Sequence, residues 1–108
     1  MRTAMYCAVI LALLPVAAVR VATAGEIVRV PINDMAFSPG EITIKPGDTV
    51  EWVNNDFVDH TATAKDGGWD VLVGAGKSAR LQFDHVGTTH YFCRFHPDMT
   101  GTVRVVGK

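Results

Sequence analysis

Three side chains that bind soft metals fall within seven residues, Cys93-Arg94-Phe95-His96-Pro97-Asp98-Met99, a C-x2-H-x2-M spacing. Thiolate and thioether donors favour copper(I), and imidazole serves both oxidation states of copper. Two His, one Cys and a weak axial Met make up the blue-copper ligand pattern. The motif supplies Cys93, His96 and Met99, so it needs one more His from elsewhere. His60, His85 and His90 remain. His85 follows Asp84 at a turn and is expected in solvent. His90 lies an odd number of residues before Cys93 on the same strand, so period two aims it at the opposite face. Elimination leaves His60, where a polar connection over 54–59 enters a strand.

Taken singly, a Cys in a strand is most simply a small buried hydrophobe. The combination at this spacing is hard to explain as packing. Structural zinc favours four Cys and His ligands in paired short spacings. A nucleophilic Cys93 paired with His96 lacks an orienting third group and an evident pocket. A copper oxidase or nitrite reductase would need further His-rich sites, and only His85 and His90 are left over. The chain is therefore not expected to be an enzyme.

The elements that must hold these residues are short and β-like. Alternation runs through residues 26–31, 41–45, 49–53, 78–83 and 101–106, with shorter candidates at 60–64 and 89–93. Ile42 and Ile44 share one face, as do Ala79, Leu81 and Phe83, and Val103 and Val105. Pro46-Gly47-Asp48 has the Pro-Gly order of a type II turn. No stretch carries a capped helical period. Such strands predict an antiparallel sandwich or barrel, with the ligand motif on a loop between two of them.

The 108 residues allow one domain. The first of them read as a leader. Met1-Arg2-Thr3 is basic, Cys7 to Val19 is an uncharged apolar run of thirteen residues, and Ala22-Thr23-Ala24 places small residues before Gly25. This predicts a signal peptide over 1–24 and a domain over 25–108. The run is shorter than the ~20 residues of a membrane span, and no Arg-Arg pair suggests twin-arginine export. Cys7 would leave with the leader, stranding Cys93 as a lone thiol in an oxidising compartment, a liability unless it has a partner. Losing Arg2 and Arg20 cuts ten Lys and Arg to eight against eleven Asp and Glu. With no basic stripe, nucleic acid is not expected as a partner.

With these residues in view, the chain resembles the cupredoxin family, and within it the amicyanin and pseudoazurin-like branch of small bacterial blue-copper proteins. Phe37-Ser38-Pro39, Ile42 and the run Lys45-Pro46-Gly47-Asp48-Thr49-Val50-Glu51-Trp52-Val53-Asn54 are similar to the family's first half. Gly87-Thr88, Tyr91-Phe92-Cys93, His96-Pro97, Met99, Gly101 and Val103 are similar to its closing ligand loop. The resemblance implies an all-β Greek-key sandwich of seven to eight strands with the metal near one end. It implies one type 1 copper per chain held by His60, Cys93, His96 and Met99, with Asn54 tying the upstream ligand loop to the Cys loop. It further implies a periplasmic monomer that carries electrons between redox proteins, a dehydrogenase donor and a c-type cytochrome acceptor. Copper buffering or delivery by the same residues is the alternative. Amicyanin has Pro between Cys and the second His, where this chain has Arg94-Phe95. It also has Pro before the upstream His, where this chain has Asp59. The ligand set survives both changes.

Overall fold

The computed structural model describes residues 25–107 together with Thr3, Ala8, Ala12 and Leu13. The leader expected over 1–24 lies outside the described residues apart from those four. No helix among them is long and apolar enough to cross a membrane.

The described chain is all-β. Its strands are β1 (Ile27–Asn33), β2 (Ala36–Phe37), β3 (Glu41–Ile44), β4 (Thr49–Asn54), β5 (His60–Ala64), β6 (Asp70–Val73), β7 (Ser78–Gln82), β8 (Gly87–Cys93) and β9 (His96–Val105). They form two sheets, ordered β2-β1-β4-β7 and β3-β9-β8-β5-β6. Nine strands replace the expected seven to eight. The two that alternation did not reveal are β2, only two residues long, and β6, an edge strand with Leu72 exposed. The expected antiparallel pairing also needs correction, because β1 pairs with β4 and β3 with β9 in parallel. Parallel neighbours need a crossover between them. The chain supplies it by passing repeatedly from one sheet to the other, so β3 of the second sheet separates β1 from β4.

Alternation otherwise sorts the faces as expected. Ile42, Ile44, Val50, Trp52, Val103 and Val105 are buried between the sheets. Ala79, Leu81 and Phe83 pack on that core but stay partly exposed, because β7 is an edge. Glu51 breaks the pattern, being buried on the outer face of central β4. Its neighbours in register on both sides are Arg29 and Arg80, and each donates to one of its carboxylate oxygens. The bonds from Arg80 and then Arg29 hold its carboxyl below the usual range against the opposing effect of burial. Gly47 closes the Lys45–Asp48 turn at φ 94°, a conformation open to Gly and costly for other residues.

The core is centred on Tyr91, which meets Phe37, Trp52 and Trp69, while the Trp52 indole donates to its hydroxyl at 3.3 Å. Burial pushes the Tyr91 hydroxyl up to about 12, despite the opposing Trp52 bond. Its ring lies across Gly101, its partner in register on β9. A Cβ at residue 101 would overlap the Tyr91 ring carbons and hydroxyl. Gly101→Ala is therefore expected to lower unfolding stability by about 2–3 kcal/mol through overpacking. The denaturant midpoint checks this, and an unchanged midpoint would contradict it.

Candidate metal centre

The metal-binding residue types converge at one end of the sandwich. The sulfur of Cys93, at the end of β8, turns inward with Tyr91 and is fully buried. Arg94 and Phe95 then make a two-residue reversal, and His96 opens β9 as the register partner of Cys93. The register shifts at Phe92/Cys93, and such a bulge re-aims side chains beside a site. The ligand motif is thus a tight hairpin whose second half belongs to a strand, not the free loop expected from sequence. His96 Nδ1 lies 3.6 Å from Cys93 Sγ.

His60 opens β5, next to β8 in the sheet, and its Nδ1 lies 3.7 Å from the same sulfur. The two imidazoles meet edge to face with centroids 5.2 Å apart. The donor atoms of His60, Cys93 and His96 all lie within 4.8 Å of one another. Met99 is buried in the same core cluster, three residues along β9 from His96. His90 is exposed on the outer face with Nδ1 3.1 Å from Thr102 Oγ1, and His85 is exposed. The structure thus brings His60 into the cluster and keeps the other two out.

His60 and Cys93 are each held by a partner. The His60 Nε2 lies 2.8 Å from Asp56 Oδ2. With an anionic acceptor there, Nε2 holds a proton and Nδ1 is the nitrogen turned to the sulfur, the orientation that a metal-ligating His requires. The Met35 N–H foremost, with the His60 ring and the Asp34 N–H, holds the Asp56 carboxyl below its usual range despite desolvation. Asp34 and Met35 form the two-residue turn between β1 and β2, both at positive φ (50° and 63°), so Asp56 ties a strained type I′ turn to the His ring. The Thr61 N–H donates to Cys93 Sγ at 3.4 Å, and Thr61 Oγ1 accepts the Arg94 N–H at 2.8 Å. Burial pushes the Cys93 thiol up. Hydrogen bonds from the Thr61 N–H, His96, His60 and the Phe95 N–H oppose it and prevail, bringing the thiol down to about 6. A thiolate is the metal-binding form.

The role expected of Asn54 needs correction. Its Nδ2 donates to the carbonyls of Val58 (2.8 Å) and Val73 (3.0 Å), and its Oδ1 accepts the Asp56 N–H at 2.9 Å. It braces the upstream loop against β6, while Thr61 makes the tie to the Cys loop. Asp56 and Thr61 escaped sequence reading because loop aspartates and strand threonines carry no signal of their own. Thr61's place beside His60 was the only available pointer.

The fit to copper rests on the donors. One thiolate-prone sulfur and two Nδ1 atoms face a common point, with a thioether side chain in the same buried cluster. Hard cations seek oxygen ligands and structural zinc four Cys or His, whereas this set is consistent with a type 1 copper site.

Similarity to known proteins points the same way. Residues 4–105 match the Cupredoxin-like domain family. The chain is 37% identical to amicyanin of Paracoccus versutus over 97 residues, covering 84% of this chain and 72% of that protein. It is 38% identical to plastocyanin of Scenedesmus fuscus over 85 residues, covering 66% and 87%. A Cu(I) structure of a methionine-to-glutamine amicyanin variant superimposes with a TM-score of 0.69 at 28% identity, over 74% of this chain and 82% of that one. Sequence match, two-sheet architecture and donor cluster agree, and the chain belongs to the cupredoxin-like family.

Proposed function

We propose that this chain is an exported type 1 blue-copper electron carrier, not an enzyme, that holds copper through His60, Cys93, His96 and Met99. The observation that carries the reading is the convergence of His60 Nδ1, Cys93 Sγ and His96 Nδ1 within 4.8 Å, all at one end of a rigid sandwich. Copper bound there would supply a one-electron Cu(I)/Cu(II) couple. The chain's own part is to keep the donors still. Asp56 fixes the His60 tautomer, and Thr61 donates to the sulfur and holds the Arg94 amide. Little then has to rearrange when the charge on the site changes.

His96 is the donor nearest solvent, half-buried between exposed Phe95 and Pro97. Its ring edge is the proposed point of electron entry and exit, and the apolar rim suits brief docking of a redox protein. A dehydrogenase donor and a c-type cytochrome acceptor are the proposed partners, with the chain acting as a periplasmic monomer. The leader is assigned to residues 1–24 and the copper domain to 25–108.

Loading the domain with copper(II), recording visible and paramagnetic-resonance spectra and titrating with reductant tests this reading. A blue colour that bleaches and returns at constant copper content is expected. Release of copper(I) to an apo-acceptor on each cycle would overturn the carrier reading in favour of delivery. Met99→Leu should keep the colour and shift the reduction potential, because Leu packs similarly but offers no sulfur. Complete loss of copper from that variant would contradict the axial role.

A further inference from the structure

A closed ring of hydrogen bonds begins and ends on the residue that follows Cys93. The Arg94 N–H donates to Thr61 Oγ1 at 2.8 Å, and Thr61 Oγ1 lies 2.9 Å from Thr63 Oγ1. Thr63 Oγ1 donates to Asp70 Oδ1 at 2.6 Å, and Arg94 Nε donates to the same carboxylate oxygen at 3.1 Å. Period two puts Thr61 and Thr63 on one face of β5, and Asp70 is the register partner of Thr63 on β6. A hydroxyl has one proton to give. Thr63 gives its proton to the carboxylate, so it accepts from Thr61. Thr61 has then spent its own proton and presents a lone pair to Arg94. The direction of the chain is thus set from the carboxylate.

The two connections to Asp70 differ in weight. Its ion pair with Arg94 is half-exposed on both sides, and such pairs contribute little. The Thr61–Thr63 stretch is buried, where hydrogen bonds polarise one another and an unmet donor is costly. The Thr63 bond comes first among the causes that hold the Asp70 carboxyl below its usual range, ahead of Arg94. A bland explanation, that two buried threonines merely find acceptors, leaves the endpoint of the chain unexplained. Thr61 also donates its own N–H to Cys93 Sγ. Orienting Thr61 therefore sets two bonds, one to the sulfur and one to the next backbone amide.

We propose that Asp70 is a positioning residue for the Cys93 sulfur, acting through the hydroxyls of Thr63 and Thr61 on the Arg94 amide. Its consequence at copper rests on the function proposed above, while the network stands without metal. Thr63→Val keeps shape and the Asp70–Arg94 pair but removes the relay. Asp70→Ala removes the acceptor, and Asp70→Asn keeps an oxygen in its place. In the metal-free full chain, Arg94 amide hydrogen exchange should be about tenfold faster in Thr63→Val and Asp70→Ala, with Asp70→Asn close to wild type. In the copper-loaded chain, the visible absorption maximum and the copper hyperfine splitting should move in the first two variants and recover in Asp70→Asn. Glu51→Gln, which perturbs an ion-paired network in the other sheet, should move neither readout. Wild-type Arg94 exchange in both Thr63→Val and Asp70→Ala would overturn the proposal, as would an equal shift in Glu51→Gln. A wild-type chain that shows no blue band would overturn the copper reading alone, because the exchange measurement decides the network separately.

Discussion

Cys93→Ser is expected to abolish the intense visible absorption of the copper-loaded protein while leaving the fold in place. The replacement is almost isosteric at a fully buried position, and Tyr91, Val103 and the other walls of the core are untouched. What changes is the donor. The thiol at residue 93 is brought down to about 6, so it ionises readily near neutral pH. A serine hydroxyl stays protonated there, is harder, and gives up electron density less readily to copper(II). His60 remains held by Asp56 and His96 stays in place at the start of β9, so some copper can still be bound. Colour and occupancy are therefore measured separately, by absorption and by metal analysis. The expected result is retained or weakened copper binding without the blue band. An unchanged blue spectrum would remove Cys93 from the centre and with it the proposed function.

Copper loading should raise the melting temperature by a large margin. A domain of this size buries a modest share of its unfolded surface and is stabilised by few surplus interactions. Cys93 is free, so no disulfide reinforces the described residues. A ligand bound only by the folded state at a thousandfold excess over its dissociation constant adds about 4 kcal/mol. For a domain of roughly 100 residues that corresponds to a rise on the order of 15–30 °C. The metal-free form carries its own pH signature. The Cys93 thiol has a folded value of about 6 against 9.0 for the ordinary group. A depressed value means that the unfolded chain binds more protons between the two. Its contribution is complete above pH 9 and is lost as pH falls towards 6. Melting of the metal-free protein is thus expected to move upward from pH 6 to 9. Scanning calorimetry with and without copper across that range checks both statements. Equal melting temperatures with and without metal would contradict the first, and a flat metal-free profile the second.

How much of the fold is legible in the sequence depends on the range of each interaction. Ile42 and Ile44, or Val103 and Val105, reveal their shared face because alternation is a property of the strand alone. The Cys93, His96 and Met99 spacing is likewise local, and the hairpin that folds it spans only Arg94 and Phe95. His60 lies 33 residues from Cys93. It could be reached only by discarding His85 and His90, and the geometry brings it to the sulfur. The β6 strand carries no alternation signal, because an edge strand with Asp70 and Leu72 exposed has no clean apolar face.

The amino-acid order by itself determined the all-β class, the inward faces, the donor types and the short spacing of Cys93, His96 and Met99. All of these follow from contacts within a few residues of one another. The tertiary structure alone decided that β1 and β4 run parallel, that Asp56 rather than a backbone group accepts the hydrogen bond from His60 Nε2, and that Thr61 rather than Asn54 reaches the Cys loop. Those choices depend on which strand lies beside which, and loop aspartates, strand threonines and turn asparagines are equally plausible partners until the sheets close. The metal ligands were legible because few side chains can do their chemistry, and the groups that hold them were not because many could.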